Sequence, residues 1–416
     1  MREIKIDTSL KYFENTQRVC DEETTLLKTK KVIPQVGITR VAKITDLDRV
    51  GIPVYSTIRP SAMKGAISIY SGKGATDTQA KISAIMEGVE RCLAEPIINN
   101  NNNNNNNIIE SYENLVESYN TLNPNKLLLP SPLAPNTILE WISGLDLLNN
   151  MEILIPANAV YHPYNPTIGV QLFRTNTNGL AAGNVIEEAI LHGLLEVIER
   201  DALSIAELTR NPGKEIILTE EDGINYELLK KFEDNGIVAK LWLLNSDVNI
   251  PTVVAALDDV VLKDSALLVM GAGAHLKPEI AVSRALTEAA QSRVVQIHGA
   301  REDTDREAVV RTIGYERLKR LNKYWYADST EKITLCEIKD KSCGTPAENI
   351  QKTLDCLKGI AENAIIVNLS REGVDIPVIR AIIPTFELYT LDRERVGKRF
   401  VKSAKRNQKR KKKIKK

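Results

Sequence analysis

The chain has 416 residues, of which 43% are hydrophobic and 26% are charged, fractions that are typical of a globular protein. No apolar run approaches the roughly 18 residues that span a membrane, and the first residues lack the layout of a signal peptide, so we expect a cytoplasmic protein. The 5 cysteines are scattered without a CxxC pair, which argues against a disulfide framework or a structural zinc site.

The net charge of +1 conceals an uneven distribution along the chain. Residues 398–416 contain twelve Lys or Arg and no acid, whereas the other residues carry 43 basic and 54 acidic side chains, a net charge of −11. We expect a disordered basic tail, which can also bind RNA or an acidic surface.

In chain order, the first part lacks a clear periodicity and leads to stretches with strand character. These strand-like stretches are residues 32–44, 51–60 and 66–72. The segment Gly72-Lys73-Gly74 is predicted to form a turn after the third strand. A helix follows, with Thr76 or Asp77 as its N-cap, and Pro96 ends it.

Residues 99–107 are nine consecutive asparagines, which are predicted to form a loop insertion because such a run buries too little surface to order itself. Mixed short strands follow to about residue 180. Asn184 is the predicted N-cap of a long helix that ends near residues 210–213. The remaining predicted elements are helices at 224–235 and 279–299 and strands at 238–245, 252–259, 266–274, 364–370 and 378–384. Because strands and helices alternate without a strict βαβ rhythm, the fold class is α+β.

The long helix that begins near Asn184 carries an unusual polar face. A helix turns by about 100° per residue, so with Glu188 at 0° on the wheel, Glu199 falls near 20°, His192 near 40° and Glu196 near 80°. Leucine, isoleucine and valine fill the opposite arc. Three carboxylates and an imidazole therefore share one narrow face, which meets either water or a cation.

Two further helices carry similar stripes. Ser83, Glu87 and Glu90 lie at i, i+4 and i+7 of the first helix. In the third, Glu288 and Gln291 lie at i and i+3; Arg284 shares their stripe, and Arg293 lies off it. One such stripe is usually a solvated face or an ion-pair network. Three of them favour convergence on a cation, which is either arginine or an Mg²⁺ that bridges carboxylates to phosphate oxygens.

Other nucleotide and metal motifs are missing from the sequence. There is no GxxxxGK[ST], so the chain is not a P-loop protein. Gly271 and Gly273 follow a strand, but no third glycine completes a Rossmann fingerprint. His192 and Glu196 have half of a zinc-site spacing that the other histidines do not repeat.

The three helical segments together resemble the YcaO family. The runs SAIMEGVERC (83–92), GLAAGNVIEEAILHGLLEVIERDA (179–202) and RALTEAAQSR (284–293) match, in this order, an SxxxExxER helix, an NxxxE…ExxER helix and an ExxQxR helix. The phrases GITRVAKITDLDRVGIPVYSTIRP and SGKGAT are also similar to YcaO sequences. The resemblance extends from about residue 15 to 385. It implies mixed or antiparallel sheets with long helices lining a nucleotide site.

The resemblance also implies the cofactors ATP and Mg²⁺ and their ligands. The implied Mg²⁺ ligands are Glu87, Glu90, Glu196 and Glu199. The implied catalytic residues are Glu87, Glu199 and Arg200. The implied nucleotide-contacting residues are Arg18, Thr24, Ser83, Asn184, Glu188, Glu288, Gln291, Arg293 and Arg301. We expect residues 1–65 to form an N-terminal α/β segment of the catalytic domain and residues 66–397 its ATP-binding part, before the tail at 398–416.

Members of the family activate a peptide backbone amide by phosphorylating its oxygen. The resemblance is greatest to stand-alone archaeal members, which work with a TfuA-type partner to form thioglycine in the methyl-coenzyme M reductase alpha subunit. It therefore implies a thioamide synthase that uses a sulfide source and forms a homodimer. Two alternatives stay open: an azoline-forming cyclodehydratase that acts on Cys, Ser or Thr, and an RNA- or ribosome-associated protein that uses its basic tail.

Overall fold

The computed structural model describes residues 4–14, 16–97, 107–299 and 306–404. Nearly all of the polyasparagine run, Arg301 and the tail beyond residue 404 lie outside the described residues. The helices are Glu22–Val32 (α1), Asp77–Ala94 (α2), Tyr112–Leu115 (α3), Ile186–Thr209 (α4), Ile224–Glu233 (α5), Pro278–His298 (α6), Arg306–Ile313 (α7), Tyr315–Leu321 (α8), Lys323–Tyr326 (α9) and Pro346–Leu357 (α10).

Fourteen strands alternate with these helices in the described part of the chain. They are Arg40–Lys43 (β1), Val54–Ile58 (β2), Ile69–Lys73 (β3), Ile108–Ser111 (β4), Ile138–Asp146 (β5), Met151–Pro156 (β6), Leu180–Ala182 (β7), Lys214–Ile217 (β8), Ile237–Leu243 (β9), Thr252–Asp259 (β10), Met270–Ala274 (β11), Lys332–Thr334 (β12), Ile365–Asn368 (β13) and Val378–Ile382 (β14).

The strands form three sheets. The first has the order β1-β2-β3, the second β11-β10-β9-β8-β12 and the third β4-β5-β13-β14-β7, with β6 also paired to β5. Among the described strands, β8 and β12 pair in parallel, and the other pairs are antiparallel. The predicted α+β class is confirmed.

Helices pack closely on the strands at glycines. A Cβ at Gly72 of β3 would lie 1.9 Å from the backbone nitrogen of Ala84 in α2. One at Gly271 of β11 would lie 2.1 Å from the nitrogen of Ala289 in α6, and Gly273 has similar contacts. These glycines therefore fix the distance between helix and sheet.

The helix α4 lies at the centre of the molecule and is buried on most sides. Its apolar face packs against β14 and α10, with Leu194 and Ile198 at 0% exposure. Burial of such side chains stabilises the fold by about 1.5–3 kcal/mol each. The polar face predicted from the helical wheel is thereby held at a fixed position inside the protein.

Several predicted boundaries are wrong. The region before residue 32 contains α1, and the strand expected at 32–44 is reduced to Arg40–Lys43. Lys73 belongs to β3, not to a turn. Val185 is the N-cap of α4, while the backbone N–H of Asn184 donates to Glu188 at 3.0 Å.

The first residues of the predicted tail at 398–416 lie within the described part of the chain. Residues 399–404 are helical, and the Arg399 guanidinium donates to both carboxylate oxygens of Asp201 at 2.8 and 2.9 Å and to Asp247 at 2.6 Å. The Glu387 carboxylate accepts the backbone N–H groups of Gly397, Arg399 and Phe400. The packed body therefore extends to at least Phe400.

A search of the described helices for a membrane span, judged by length and apolar character, finds none.

Candidate functional site

A cavity of about 1470 Å³ lies where α2, α4 and α6 approach one another, beside β3 and the N-terminal segment. The three helices with polar stripes thus meet at one place, and the sequence predicted that they would converge. The predicted site residues that line the cavity are Arg18, Ser83, Glu87, Glu90, Asn184, Glu188, Glu196, Glu199, Arg200, Glu288 and Gln291.

Two carboxylates of α2 enter the cavity one turn apart. Glu87 accepts a hydrogen bond from Arg91 at 2.8 Å. Glu90 accepts the backbone N–H of Ala182 in β7 at 2.8 Å. Burial, together with the nearby Glu87 charge, raises the pKa of Glu90 to about 8, although Arg91 opposes the shift. The groups of the protein therefore neutralise the Glu90 charge incompletely.

The carboxylates of α4 face them across the cavity. Glu199 is 1% exposed and accepts the backbone N–H of Ala274 at 3.0 Å, while Arg200 lies 3.3 Å from its other oxygen. Burial raises the pKa of Glu196, and the Glu199 charge adds to that effect, although Arg200 opposes it. Glu196 has no hydrogen bond and no cation within 4 Å among the described residues. Its charge is available to a ligand.

The first turn of α4 fixes the N-terminal segment. Glu188 accepts the backbone N–H of Val19 at 2.7 Å as well as that of Asn184, and Arg18 lies 4.0 Å from it. Glu187 accepts the backbone N–H of Asp7 at 2.6 Å. Because two backbone donors already bind it, Glu188 positions the segment that carries Arg18 at the cavity edge.

The α6 residues connect to β3. Glu288 pairs with Lys73 and lies 3.3 Å from Arg200. Burial opposes its ionisation, but these two cations lower the pKa of Glu288 to about 2. Gln291 donates to the backbone oxygen and the hydroxyl of Ser71. The α6 stripe therefore holds two cations and the end of β3 against the cavity.

Two predicted nucleotide contacts lie away from the cavity wall. Thr24 donates to the Asp21 carboxylate, which caps α1, and the neighbouring Thr25 lines the cavity instead. Arg293 is fully buried and pairs with Asp48 at 2.8 Å and Asp259 at 3.2 Å. The off-stripe wheel position of Arg293 explains its absence from the cavity.

Four residues that line the cavity were not predicted as site residues from the sequence. The sequence placed Lys73 in a predicted turn and Arg91 within the run SAIMEGVERC, without a role for either side chain. Arg284 and His192 were noted on polar stripes without a role. All four line the cavity. For Arg91, His192 and Arg284 the available signal was a position on a helical stripe next to the predicted glutamates, whereas Lys73 lies on β3 and had no such signal.

The donor set of the cavity fits a magnesium nucleotide. In the described part of the chain, no three acidic, His or Cys side chains come together to hold a metal ion by themselves. Mg²⁺ commonly takes only one or two carboxylates and completes its coordination with phosphate oxygens and water. Buried polar atoms also lack partners here, namely Arg91 Nε, Arg284 Nε and Asn184 Oδ1. Glu87, Glu90, Glu196 and Glu199 would hold Mg²⁺ ions, and the arginines and Lys73 would face phosphate.

Comparisons with known proteins show which proteins this chain is similar to. A family model described as YcaO cyclodehydratase, ATP- and Mg²⁺-binding, matches residues 71–387. A protein of Methanothermobacter thermautotrophicus is 48% identical over 371 residues, covering 88% of this chain and 94% of the relative. A protein in the tfuA 3′ region of Rhizobium leguminosarum bv. trifolii is 28% identical over 380 residues, covering 85% and 84%.

A solved structure extends the match to the whole fold. The structure of YcaO from Methanopyrus kandleri bound with AMPPCP and Mg²⁺ has a TM-score of 0.75 and 30% identity, covering 91% of this chain and 95% of that chain. The expected fold is thereby confirmed, and ATP and Mg²⁺ are the cofactors that the family description names. The chain belongs to the YcaO family of ATP-dependent enzymes.

Proposed function

We propose that the protein activates a backbone amide of a peptide or protein for thioamidation, using ATP and Mg²⁺. The proposed product is thioglycine in the methyl-coenzyme M reductase alpha subunit, formed with a sulfide donor and a TfuA-like partner. The observation that carries the proposal is a cavity whose wall contains two incompletely neutralised carboxylates, Glu90 and Glu196, together with several cations.

The chemistry explains why such a cavity is useful. An amide is a poor electrophile because oxide is a poor leaving group. Bound Mg-ATP would supply the phosphoryl group that turns the amide oxygen into a good leaving group. Sulfide forms a bond to the carbonyl carbon, the C–O bond breaks, and the oxygen departs with phosphate. Arg200 and Lys73 would stabilise the charge on the phosphoryl oxygens.

Each wall of the cavity would have a separate task. Glu87 and Glu90 on α2 and Glu196 and Glu199 on α4 would hold Mg²⁺ from opposite sides. The N-terminal segment, held by Glu188, would bring Arg18 to the nucleotide. The cavity of about 1470 Å³ also exceeds the usual range for a small-molecule site, roughly 300–1,000 Å³, which leaves room for a peptide beside the nucleotide.

Two relatives support the finer assignment. The Methanothermobacter protein comes from a methanogen and shares 48% identity with this chain, which favours a substrate found in methanogens. The Rhizobium relative lies in the tfuA 3′ region, which favours a TfuA-like partner.

Mass spectrometry of the substrate tests the proposal. The protein, the TfuA-like partner, Mg-ATP and sulfide are incubated with a peptide of the reductase that contains the target glycine. Exchange of oxygen for sulfur raises the peptide mass by about 16 Da. Glu196→Gln should abolish the change, and Glu227→Gln, on the exposed face of α5, is the matched control. ATP turnover without any peptide product would contradict thioamidation of this substrate.

The family description as a cyclodehydratase favours one alternative, azoline formation. In that reaction a Cys, Ser or Thr side chain of the peptide attacks the carbonyl carbon and no sulfide is needed. Loss of water lowers the peptide mass by about 18 Da. The two products are therefore distinguished in the same spectrum, and omission of sulfide abolishes only thioamidation.

A further inference from the structure

His192 lies in the cavity wall without a task in the function described above. It stands on α4 one turn after Glu188 and one turn before Glu196, and it lines the cavity. An imidazole between two carboxylates of a phosphate-binding wall would ordinarily be protonated and paired with one of them. The structure shows a different arrangement.

The partner of His192 is a cation. Arg284 on α6 lies with Nη1 3.2 Å from His192 Nδ1. A guanidinium carries only donors and does not lose its proton in proteins, so Nδ1 must be the acceptor and must carry no hydrogen. The ring proton of the neutral imidazole is therefore on Nε2. Arg284 fixes the tautomer.

The surroundings also keep the ring neutral. Burial lowers the pKa of His192 well below its usual value, and the charges of Arg284, Arg18 and Lys73 and the nearby His275 act in the same direction. Protonation would place a hydrogen on Nδ1 directly against the Arg284 guanidinium. A neutral ring with one fixed donor is the state that this site stabilises.

The donor atom of the ring is free among the described residues. Nδ1 makes the hydrogen bond with Arg284, and no described residue accepts from Nε2. Arg284 contributes a second unused donor, since its buried Nε has no partner. The His192 Nε2–H, fixed in the cavity wall without an acceptor and next to the Arg284 cation, indicates a site for a negatively charged oxygen.

We infer that His192 donates its Nε2–H to an oxyanion bound in the cavity and that Arg284 is the positioning residue that fixes its tautomer. The inference rests on the proposed function, in which two oxyanions arise: a phosphate oxygen of the nucleotide and the oxygen of the adduct formed by attack on the peptide carbonyl. The ring keeps its proton throughout, so His192 is a hydrogen-bond donor and not a base.

Nitrogen-15 NMR of the histidine rings tests the tautomer without any turnover. The chain has 4 histidines, and the His192 ring is assigned as the one missing from His192→Gln. The wild-type ring should show a protonated Nε2 and an unprotonated Nδ1 at neutral pH. Arg284→Met should turn it into a mixture of tautomers. A ring protonated on Nδ1, or on both nitrogens, would overturn the inference even if the enzyme made thioamide.

Ligand addition identifies the oxyanion. If it is a phosphate oxygen, AMPPCP with Mg²⁺ should shift the Nε2–H resonance of His192. If it belongs to the peptide adduct, the nucleotide should leave the resonance in place, and the activity loss in the variants should appear in kcat and not in the KM for ATP. A resonance that stays in place, together with full activity in His192→Leu, would show that no oxyanion binds there.

Matched substitutions measure the contribution to turnover. His192→Leu removes the donor and should lower kcat/KM by at least about 100-fold, the usual cost of one oxyanion donor. His192→Gln retains an N–H near the Nε2 position and should recover most of that loss. The pH profile of His192→Gln should keep both limbs of the wild-type profile; loss of the acid limb, which reports protonation of a general base, would identify His192 as a base. Melting curves confirm that both variants fold.

Discussion

The molecule contains two clusters of buried charge that differ in how completely they are paired. In the first cluster, Arg293 of α6 binds Asp48 with two hydrogen bonds of 2.8 and 3.0 Å and lies 3.2 Å from Asp259. Arg49 donates to both oxygens of Asp259 at 2.9 Å. Two cations therefore balance two carboxylates, so the net charge of this cluster is zero, although Arg293 Nη1 is buried without a hydrogen-bond partner.

The cavity wall contains similar residue types in a different balance. Glu196 has neither a hydrogen bond nor a close cation among the described residues, and burial raises the pKa values of Glu90 and Glu196. An unpaired guanidinium nitrogen occurs in both clusters, Arg91 Nε here and Arg293 Nη1 there, so the difference lies in the carboxylates. The comparison shows that a buried charge indicates function when its partners are incomplete, and stability when they are complete.

The largest effect, on the free energy of unfolding, is expected from a substitution in the cluster of Arg293, Asp48 and Asp259. Arg293→Met leaves Asp48 buried without a cation and Asp259 with Arg49 alone. Removal of one partner of a buried ion pair costs about 3–5 kcal/mol because the remaining charge stays desolvated. Urea unfolding of the two proteins measures the difference in the free energy of unfolding.

A surface ion pair gives the matched control for this substitution. Arg311 is 52% exposed and lies 2.8 Å from Asp264, so Arg311→Met should cost about 1 kcal/mol or less. Equal losses for the two variants would show that burial does not distinguish them, contrary to the comparison. If Arg293→Met instead retains stability but loses nucleotide binding, Arg293 belongs to the site after all.

The next largest effect is expected on ATP turnover, from a substitution of the unpaired Glu196 in the cavity wall. Glu196→Gln removes a ligand charge, so we expect ATP turnover to fall by about 100-fold or more. The unfolding free energy without ligand should stay equal or rise, because an unpaired carboxylate is replaced by a neutral group of the same shape. Steady-state phosphate release and thermal melting measure the two quantities.

Ligand-dependent melting separates this result from a structural role. A saturating ligand at about 100 times its Kd stabilises the native state by about 2.7 kcal/mol, so Mg-ATP should raise the melting temperature of the wild type and not that of Glu196→Gln. A variant that melts lower without ligand, yet still gains stability from Mg-ATP, would place Glu196 in a structural network instead.

A smaller effect is expected where α6 supports β3. Gln291 donates to Ser71, two residues before Lys73. Gln291→Leu removes hydrogen bonds worth about 0.5–1.5 kcal/mol each, so Lys73 should be less well positioned and the KM for ATP should rise by about 3- to 10-fold. Substitution of Ser71 by Ala removes only the weaker half of this contact, and its KM should lie between those of the wild type and Gln291→Leu.

The sequence predicted the cavity better than it predicted the paired cluster, for a physical reason. The polar stripes of α2, α4 and α6 follow from helical periodicity alone, and periodicity is visible in a single sequence. The partners of Arg293 come from Asp48 and Asp259, which are 245 and 34 residues away in the chain, and no local pattern encodes that contact.

Local signals also explain the wrong boundaries. In α1 the segment EETTLLKTKKV contains two adjacent threonines and a valine, which have modest helix propensity, and little apolar periodicity, so the helix was not predicted. Asn184 is a favoured N-cap residue, yet the helix begins after Val185. No side-chain cap forms at Val185, and the Glu188 carboxylate instead accepts the backbone N–H of Asn184, which precedes the helix.

The smallest expected effect concerns the basic tail, and it separates the catalytic function from an RNA-binding one. A chain that stops after residue 404 keeps Arg399 and its contacts with Asp201 and Asp247, so its unfolding free energy and its peptide-dependent ATP turnover should match those of the full chain within about 0.5 kcal/mol and about 2-fold.

A chain that stops after Gly397 should behave differently, because it strands the buried Asp201 carboxylate without its cation. Its loss of stability would therefore say nothing about RNA, and only the longer truncation tests the tail. If that truncation keeps nucleotide-dependent melting but loses all peptide modification, the basic residues beyond 404 recruit the substrate. If the shortened chain keeps both nucleotide-dependent melting and peptide modification, the cavity carries the function without the tail.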